Sequence, residues 1–167
     1  MSLLTATHED FERRNGANLP AGVYRVTIES VGPKAYENGT QLDRMYGNIR
    51  TRDGATELAV NGGTFHIGNR KLFAHSWIDH KNPKAQRAGN AQIAREAAAA
   101  GLMQAPAKGE TAELPFDNWE EYAAQLAGRE VLVKVILQTR KSKQGPPELD
   151  DDGKPKVDAV VTDWMSA

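Results

Sequence analysis

Arg44, Tyr46, Asn48 and Arg50 occupy alternate positions of the stretch QLDRMYGNIRT, and on an extended chain alternate side chains share a face. That face is cationic, amide-bearing and aromatic at once. A second row, Lys71, Phe73, His75 and Trp77, runs through RKLFAHSWID in alternation with Leu72, Ala74, Ser76 and Ile78, and pattern alone leaves open which row meets the core. Cations that follow phosphates, interleaved with flat rings, hold an unpaired nucleic-acid strand, each stacked base contributing roughly 1–3 kcal/mol. Arginine serves both purposes, because its guanidinium plane stacks as well as pairs. Two turn-rich segments add to the set. Lys34 and Tyr36 lie between Gly32-Pro33 and Asn38-Gly39, and Arg140, Lys141 and Lys143 lie in RKSKQGPPELDDDGKP. The competing account is ordinary: polar alternation on a half-exposed strand, and large aromatics such as Phe73 and Trp77 taken into the core. Trp119 and Trp164 read as core or interface residues.

Catalytic chemistry is poorly supplied. His66, His75, Asp79 and His80 cluster in sequence, yet no pair has the helical i, i+4 spacing of a zincin. Glu148, Asp150, Asp152 and Gly153 imitate the start of a calcium loop, but Ala159 stands where the bidentate glutamate belongs. Gly62-Gly63 reads as turn chemistry, and the chain has neither a phosphate-binding glycine loop nor a nucleophile elbow. No catalytic residue, metal or cofactor is expected.

The elements that must position these rows follow from periodicity and punctuation. Leu19–Val31, LPAGVYRVTIESV, alternates Tyr24, Val26 and Ile28 with Arg25, Thr27 and Glu29, as does a strand with one buried face. Gln41–Thr51 and Arg70–Asp79 are the next main strands, with a hairpin from Thr56–Val60 and Thr64–Ile67 between them. Asn82 as N-cap and Pro83 at the first helical position open an alanine-rich helix, packed through Ile93, Ala97 and Leu102 and stopped at Gly101. Asp117 and Glu120 resemble a capping box for a second helix, Asn118–Ala127. Glu130–Thr139 and Lys156–Trp164 close the chain as strands. In the last, Val157, Ala159 and Val161 share one side, and Val160, Thr162 and Trp164 the other. The fold class is mostly β: an OB-type five-stranded barrel with a helix between strands three and four, a second short helix and an inserted hairpin.

At 167 residues the chain suits one domain, residues 19–167, behind a polar extension, residues 1–18. It has no cysteine, which removes disulfides and thiolate chemistry. The N-terminus MSLLTATHEDFERR lacks the apolar run of a signal peptide, so a cytoplasmic protein is expected. The formal net charge is −1. Yet between Phe65 and Arg95 the cations Arg70, Lys71, Lys81, Lys84, Arg87 and Arg95 face only Asp79, a local tract suited to phosphates.

Three passages carry a resemblance: LPAGVYRVTIESV, RKLFAHSWIDHKNPKAQRAGNAQIAREAAAAGL, and the Gly128-Arg129 step into EVLVKVILQ. Together they resemble a family of phage-encoded single-stranded-DNA-binding proteins long labelled a domain of unknown function, over about Asp10 to Trp164. The resemblance implies an OB-type fold and sequence-tolerant binding of single-stranded DNA in replication, recombination or repair. It also implies no catalysis and no metal, and a location in the host cytoplasm. The hairpin at Thr56–Ile67 departs from the pattern, and the closing VTDWMSA is not the acidic tip with which many single-strand binders recruit replication proteins. The alternative function is an OB-type barrel acting as a protein-interaction or assembly module, and a homodimer through an edge strand is compatible with either.

Overall fold

A computed structural model of the chain describes residues 19–60, 63–140, 145–149, 151 and 153–167. Among the described residues seven strands and two helices follow in order: β1 Gly22–Tyr36, β2 Gly39–Thr51, β3 Glu57–Val60, β4 Gly63–His66, β5 Leu72–His80, α1 Pro83–Ala99, α2 Trp119–Leu126, β6 Glu130–Thr139 and β7 Val157–Ser166. The protein is mostly β. Five strands form one antiparallel sheet in the order β5-β2-β1-β6-β7, and β3 and β4 make a separate hairpin. The Asn61-Gly62 part of the expected hairpin turn lies outside the described residues.

The alternation read from the sequence builds the centre of this sheet. Tyr24, Val26 and Ile28 of β1 and Val131, Val133 and Val135 of β6 are buried side by side, with Val26 opposite Val131 and Tyr24 opposite Val133. Closure into a barrel does not follow from the hydrogen bonds: among the described residues the ladder ends at β5 on one side and β7 on the other.

Two irregularities in the ladder matter more than the strands' lengths. On β2, the pairing with β1 slips between Arg25↔Arg50 and Thr27↔Gly47, and Asn48 in that slip has φ 50°, a left-handed conformation that asparagine tolerates better than most residues. On β7, Asp163 pairs with Lys134 but Val161 pairs with Val135, leaving Thr162 as the extra residue. Each bulge exchanges inside for outside along its strand. As a result Val161 and Trp164, expected on opposite sides of the closing strand, are both buried.

Helix α1 begins as expected. Asn82 Oδ1 accepts from the Lys84 N–H at 2.9 Å, Pro83 follows, and Ile93 and Ala97 are buried against the sheet. At Gly89 the helix touches β5 so closely that a Cβ would lie 2.0 Å from the Trp77 carbonyl oxygen, so only glycine permits the approach. The second helix is capped one residue later than expected. Asn118 Oδ1 accepts from the Glu121 N–H at 2.8 Å, and Glu121 reaches back to the Asp117 N–H at 3.2 Å. The cap is Asn118 because the helix starts at Trp119, which places Glu121 at the third helical position, and its carboxylate accepts from the residue before the cap. No helix among the described residues is long and apolar enough to cross a membrane.

Candidate nucleic-acid interface

Arg44 and Tyr46 do not line a groove. They are 1% and 0% exposed, on the inner face of β2, and this overturns the surface expected from their spacing. Their partner is Glu96 of α1, itself fully buried, whose two carboxylate oxygens lie 3.1 and 3.2 Å from Arg44 Nε. Tyr46 donates its hydroxyl to Glu96, Tyr122 does so at 3.3 Å, and Trp164 Nε1 donates to the Tyr46 oxygen at 2.8 Å. The remaining Arg44 donors reach the Leu42 carbonyl at 2.6 Å and Ser76 Oγ at 2.9 Å, and Ser76 donates on to Gln92 at 2.7 Å. Burial and the adjacent carboxylate push both phenols, Tyr46 and Tyr122, well above the ordinary tyrosine range. Burial alone would lower the Arg44 guanidinium, but Glu96 and Tyr46 outweigh it and the group stays firmly charged. This is a satisfied interior network, of the kind that fixes one packing of helix on sheet.

The other row is outside. Leu72, Ala74 and Ser76 of β5 point inward, which settles the ambiguity left by the pattern, and Phe73 is 54% exposed with His75 and Trp77 beyond it. Cross-strand pairing puts Met45 beside Phe73, Asp43 beside His75 and Gln41 beside Trp77, and continues to Ser30, Gly32 and Lys34 on β1. Tyr36, 42% exposed at the hairpin tip, meets Trp77 edge-on at 6.0 Å, and Trp77 meets His80 at 4.3 Å. Lys34 Nζ lies 5.4 Å from the Tyr36 ring centre. His80 Nδ1 accepts from the Asn82 N–H at 2.8 Å, so its other nitrogen is the one left to meet a partner. Six of the predicted residues therefore converge on one face: Lys34, Tyr36, Lys71, Phe73, His75 and Trp77.

The rest are elsewhere. Asn48 is exposed by the bulge, and Arg50 is tied to Glu130 at 3.0 Å beside Arg25, which also holds that carboxylate at 3.1 Å. The hydrogen bond from Arg25, helped by Arg50, keeps the Glu130 carboxyl below its ordinary range. Arg140 is bound to Asp158 at 3.0 Å through Nε and lies 3.8 Å from Glu148, so it is a clasp across the loop's base. Lys141 and Lys143 lie outside the described residues. The basic tract does not make one surface either. Lys71 sits at the outer face, whereas Lys84, Arg87 and Arg95 ride on α1, which packs against the inner face through Gln92 and Glu96.

Residue spacing missed Glu96 and the β2 members of the outer face. One signal for Glu96 was available, since it is the single acid on the Ile93 and Ala97 side of an otherwise alanine-rich run, where a lone carboxylate demands a buried partner. The histidines that suggested a metal are engaged separately, His66 with Glu57 at 3.1 Å and His75 with Asp43 at 2.6 Å. No protein-family model matches the chain, and no curated protein matches it either. The likeness to phage-encoded single-strand binders rests on the passages quoted above.

Proposed function

We propose that the chain binds unpaired nucleic acid along the outer face of β1, β2 and β5, as a sequence-tolerant single-stranded-DNA-binding protein of phage replication, recombination or repair. The observation that carries this reading is the outer row of exposed Phe73 and His75 and half-buried Trp77, continued by Tyr36. Alternate residues of a strand stand about 6.8 Å apart, twice the rise per residue. That is about double the 3.4 Å between successive bases of a duplex strand, so a chain lying along β5 meets these rings with its bases drawn apart. The strand order, with α1 following β5, supports reading the sheet as an OB-type barrel open at one seam, and in that architecture the second and third strands and the loop between the first two carry the ligand. Here those parts are β2, β5 and the Tyr36 hairpin tip.

The test is titration of a labelled oligothymidylate while following tryptophan fluorescence, with duplex DNA as competitor. Quenching that is lost in Trp77→Ala supports the face. No binding at low salt, or equal binding to duplex, removes it.

A second reading has its own observation. The two sheet edges, β5 and β7, border a cleft of about 570 Å³ lined by Leu72, Ala74, Gln92, Val161 and Trp164. An assembly module that accepts an extended polypeptide strand along such an edge uses this geometry. Pull-down of a partner that survives Phe73→Ala and Trp77→Ala, without nucleic-acid binding, would favour it.

A further inference from the structure

We infer that this face takes hold of the bases of an unpaired strand and leaves the phosphates largely to solvent; this rests on the reading just given. The reason is the way its cations are spent. Lys71 Nζ lies 2.8 and 2.6 Å from the two carboxylate oxygens of Glu29, and the pair spans β2 directly over Gly47. A Cβ at Gly47 would sit 2.0 Å from the Glu29 oxygen and 2.6 Å from Lys71 Nζ, so the strand between them is left bare to let the ion pair form. His75 Nδ1 stands 2.6 Å from Asp43 Oδ1, so whatever charge the imidazole carries is met by a carboxylate. At the hairpin tip Lys81 is set among Glu37 and Asp79 around a shallow recess.

Phosphate-led binding works by releasing counterions from the nucleic acid, which requires cations that are not already neutralised. On this face Lys34 and Lys81 have no ion pair among the described residues; Lys34 lies over a ring that a base would share, and Lys81 stands at the tip, beyond the row of rings. Glu29 and Asp43 hold Lys71 and His75 at the centre of the face, and Glu37 and Asp79 line the recess that Lys81 shares at the tip. A phosphate drawn onto the centre of the face meets Asp43 and Glu29, whereas a base meets Phe73, Met45, Trp77 and Tyr36. The substrate class is thus any strand of exposed, flat bases, with little demand on the charge of its backbone.

Three probes of equal length separate the possibilities in the full chain: oligothymidylate, its methylphosphonate analogue with an uncharged backbone, and an abasic deoxyribose-phosphate chain. The methylphosphonate is expected to bind within about threefold of the natural oligomer. The abasic chain is expected to bind at least tenfold more weakly. The slope of log affinity against log salt should lie between about 0.7 and about 1.4 in magnitude, the contribution of about one or two phosphate contacts to a single strand. Glu29→Gln, which frees Lys71 without touching the rings, should steepen that slope by about 0.7 and tighten oligothymidylate binding at low salt. Abasic binding equal to that of oligothymidylate, or a wild-type slope of about three contacts or more, overturns the inference while leaving nucleic-acid binding intact. Failure of all three probes overturns the proposed function as well.

Discussion

Two regions of this protein use nearly the same residue types and do opposite things with them. Inside, Arg44, Tyr46, Tyr122 and Trp164 surround Glu96, and the carboxylate accepts from Arg44 and both tyrosines. Outside, Lys71 pairs with Glu29 and His75 with Asp43 beside exposed Phe73 and Tyr36 and half-buried Trp77. Cation, aromatic and acid therefore do not distinguish a site from a core. What distinguishes them is whether the hydrogen-bond accounts close without a ligand: the inner set is saturated within itself, and the outer set leaves flat apolar area uncovered.

The largest expected effect breaks the inner region. Arg44→Ala leaves Glu96 a buried charge without its counter-ion and should cost about 3–5 kcal/mol, lowering the melting temperature by about 10 °C or more, as read by thermal unfolding. Any loss of oligonucleotide binding in this variant should follow the loss of folded protein. A binding defect in a protein of unchanged melting temperature would contradict the contrast.

High pH probes the same region without mutation. Tyr46 and Tyr122 are held above the ordinary phenol range by burial and then by Glu96, so in the folded state they keep their protons where the unfolded chain releases them. Their contribution is complete below the unfolded value of about 10 and declines as pH rises beyond it. Unfolding midpoints should fall above about pH 10, with phenolate absorbance from the buried rings emerging together with loss of structure. Phenolate absorbance from those rings in a fully folded protein would break the assignment.

The outer region is sharpened by Trp77→Ala and Phe73→Ala. Each should cost about 1–3 kcal/mol of oligonucleotide affinity, roughly 5-fold to 150-fold, with little change in the unfolding midpoint for the exposed Phe73. A normal affinity in both would detach the outer-face rings from function.

The smallest effect concerns Arg140, a residue that looked like a ligand contact and is a clasp. Arg140→Ala should leave affinity within about twofold and stability within about 0.5 kcal/mol at neutral pH. Its hydrogen bond holds the Asp158 carboxyl below the ordinary range, so the stabilisation is present above the unfolded value near 4 and is lost as pH falls below it. The substituted protein should accordingly be less sensitive to acid than the parent, measured by denaturant midpoints across that window.

How much of this could be read from the chain depends on parity. β1 and β6 keep strict alternation where they pair with each other at the sheet's centre, and their buried faces were legible as Tyr24, Val26, Ile28 and Val131, Val133, Val135. β2 and β7 each contain a bulge, at Asn48 and Thr162, and a single extra residue exchanges the faces on its far side. Asn48 was the only warning on β2, and an asparagine next to a glycine has many other uses. The cap of α1 was legible because Asn82-Pro83 acts locally. The Glu96 network was not, because it joins β2, α1, α2 and β7, and no local pattern records a contact over 50 residues away.

Gly89 ties these two regions to a common thickness. With no side chain there, α1 rests directly on the carbonyl of Trp77, so the backbone that carries the half-buried indole on the outer face is the floor on which the helix bearing Glu96 lies. Any rewriting of the interior that lifts α1 by the width of a methyl group would tilt the exposed platform as well. The hidden layer thus sets the shape of the visible one, and the freedom to vary each is smaller than its own contacts suggest.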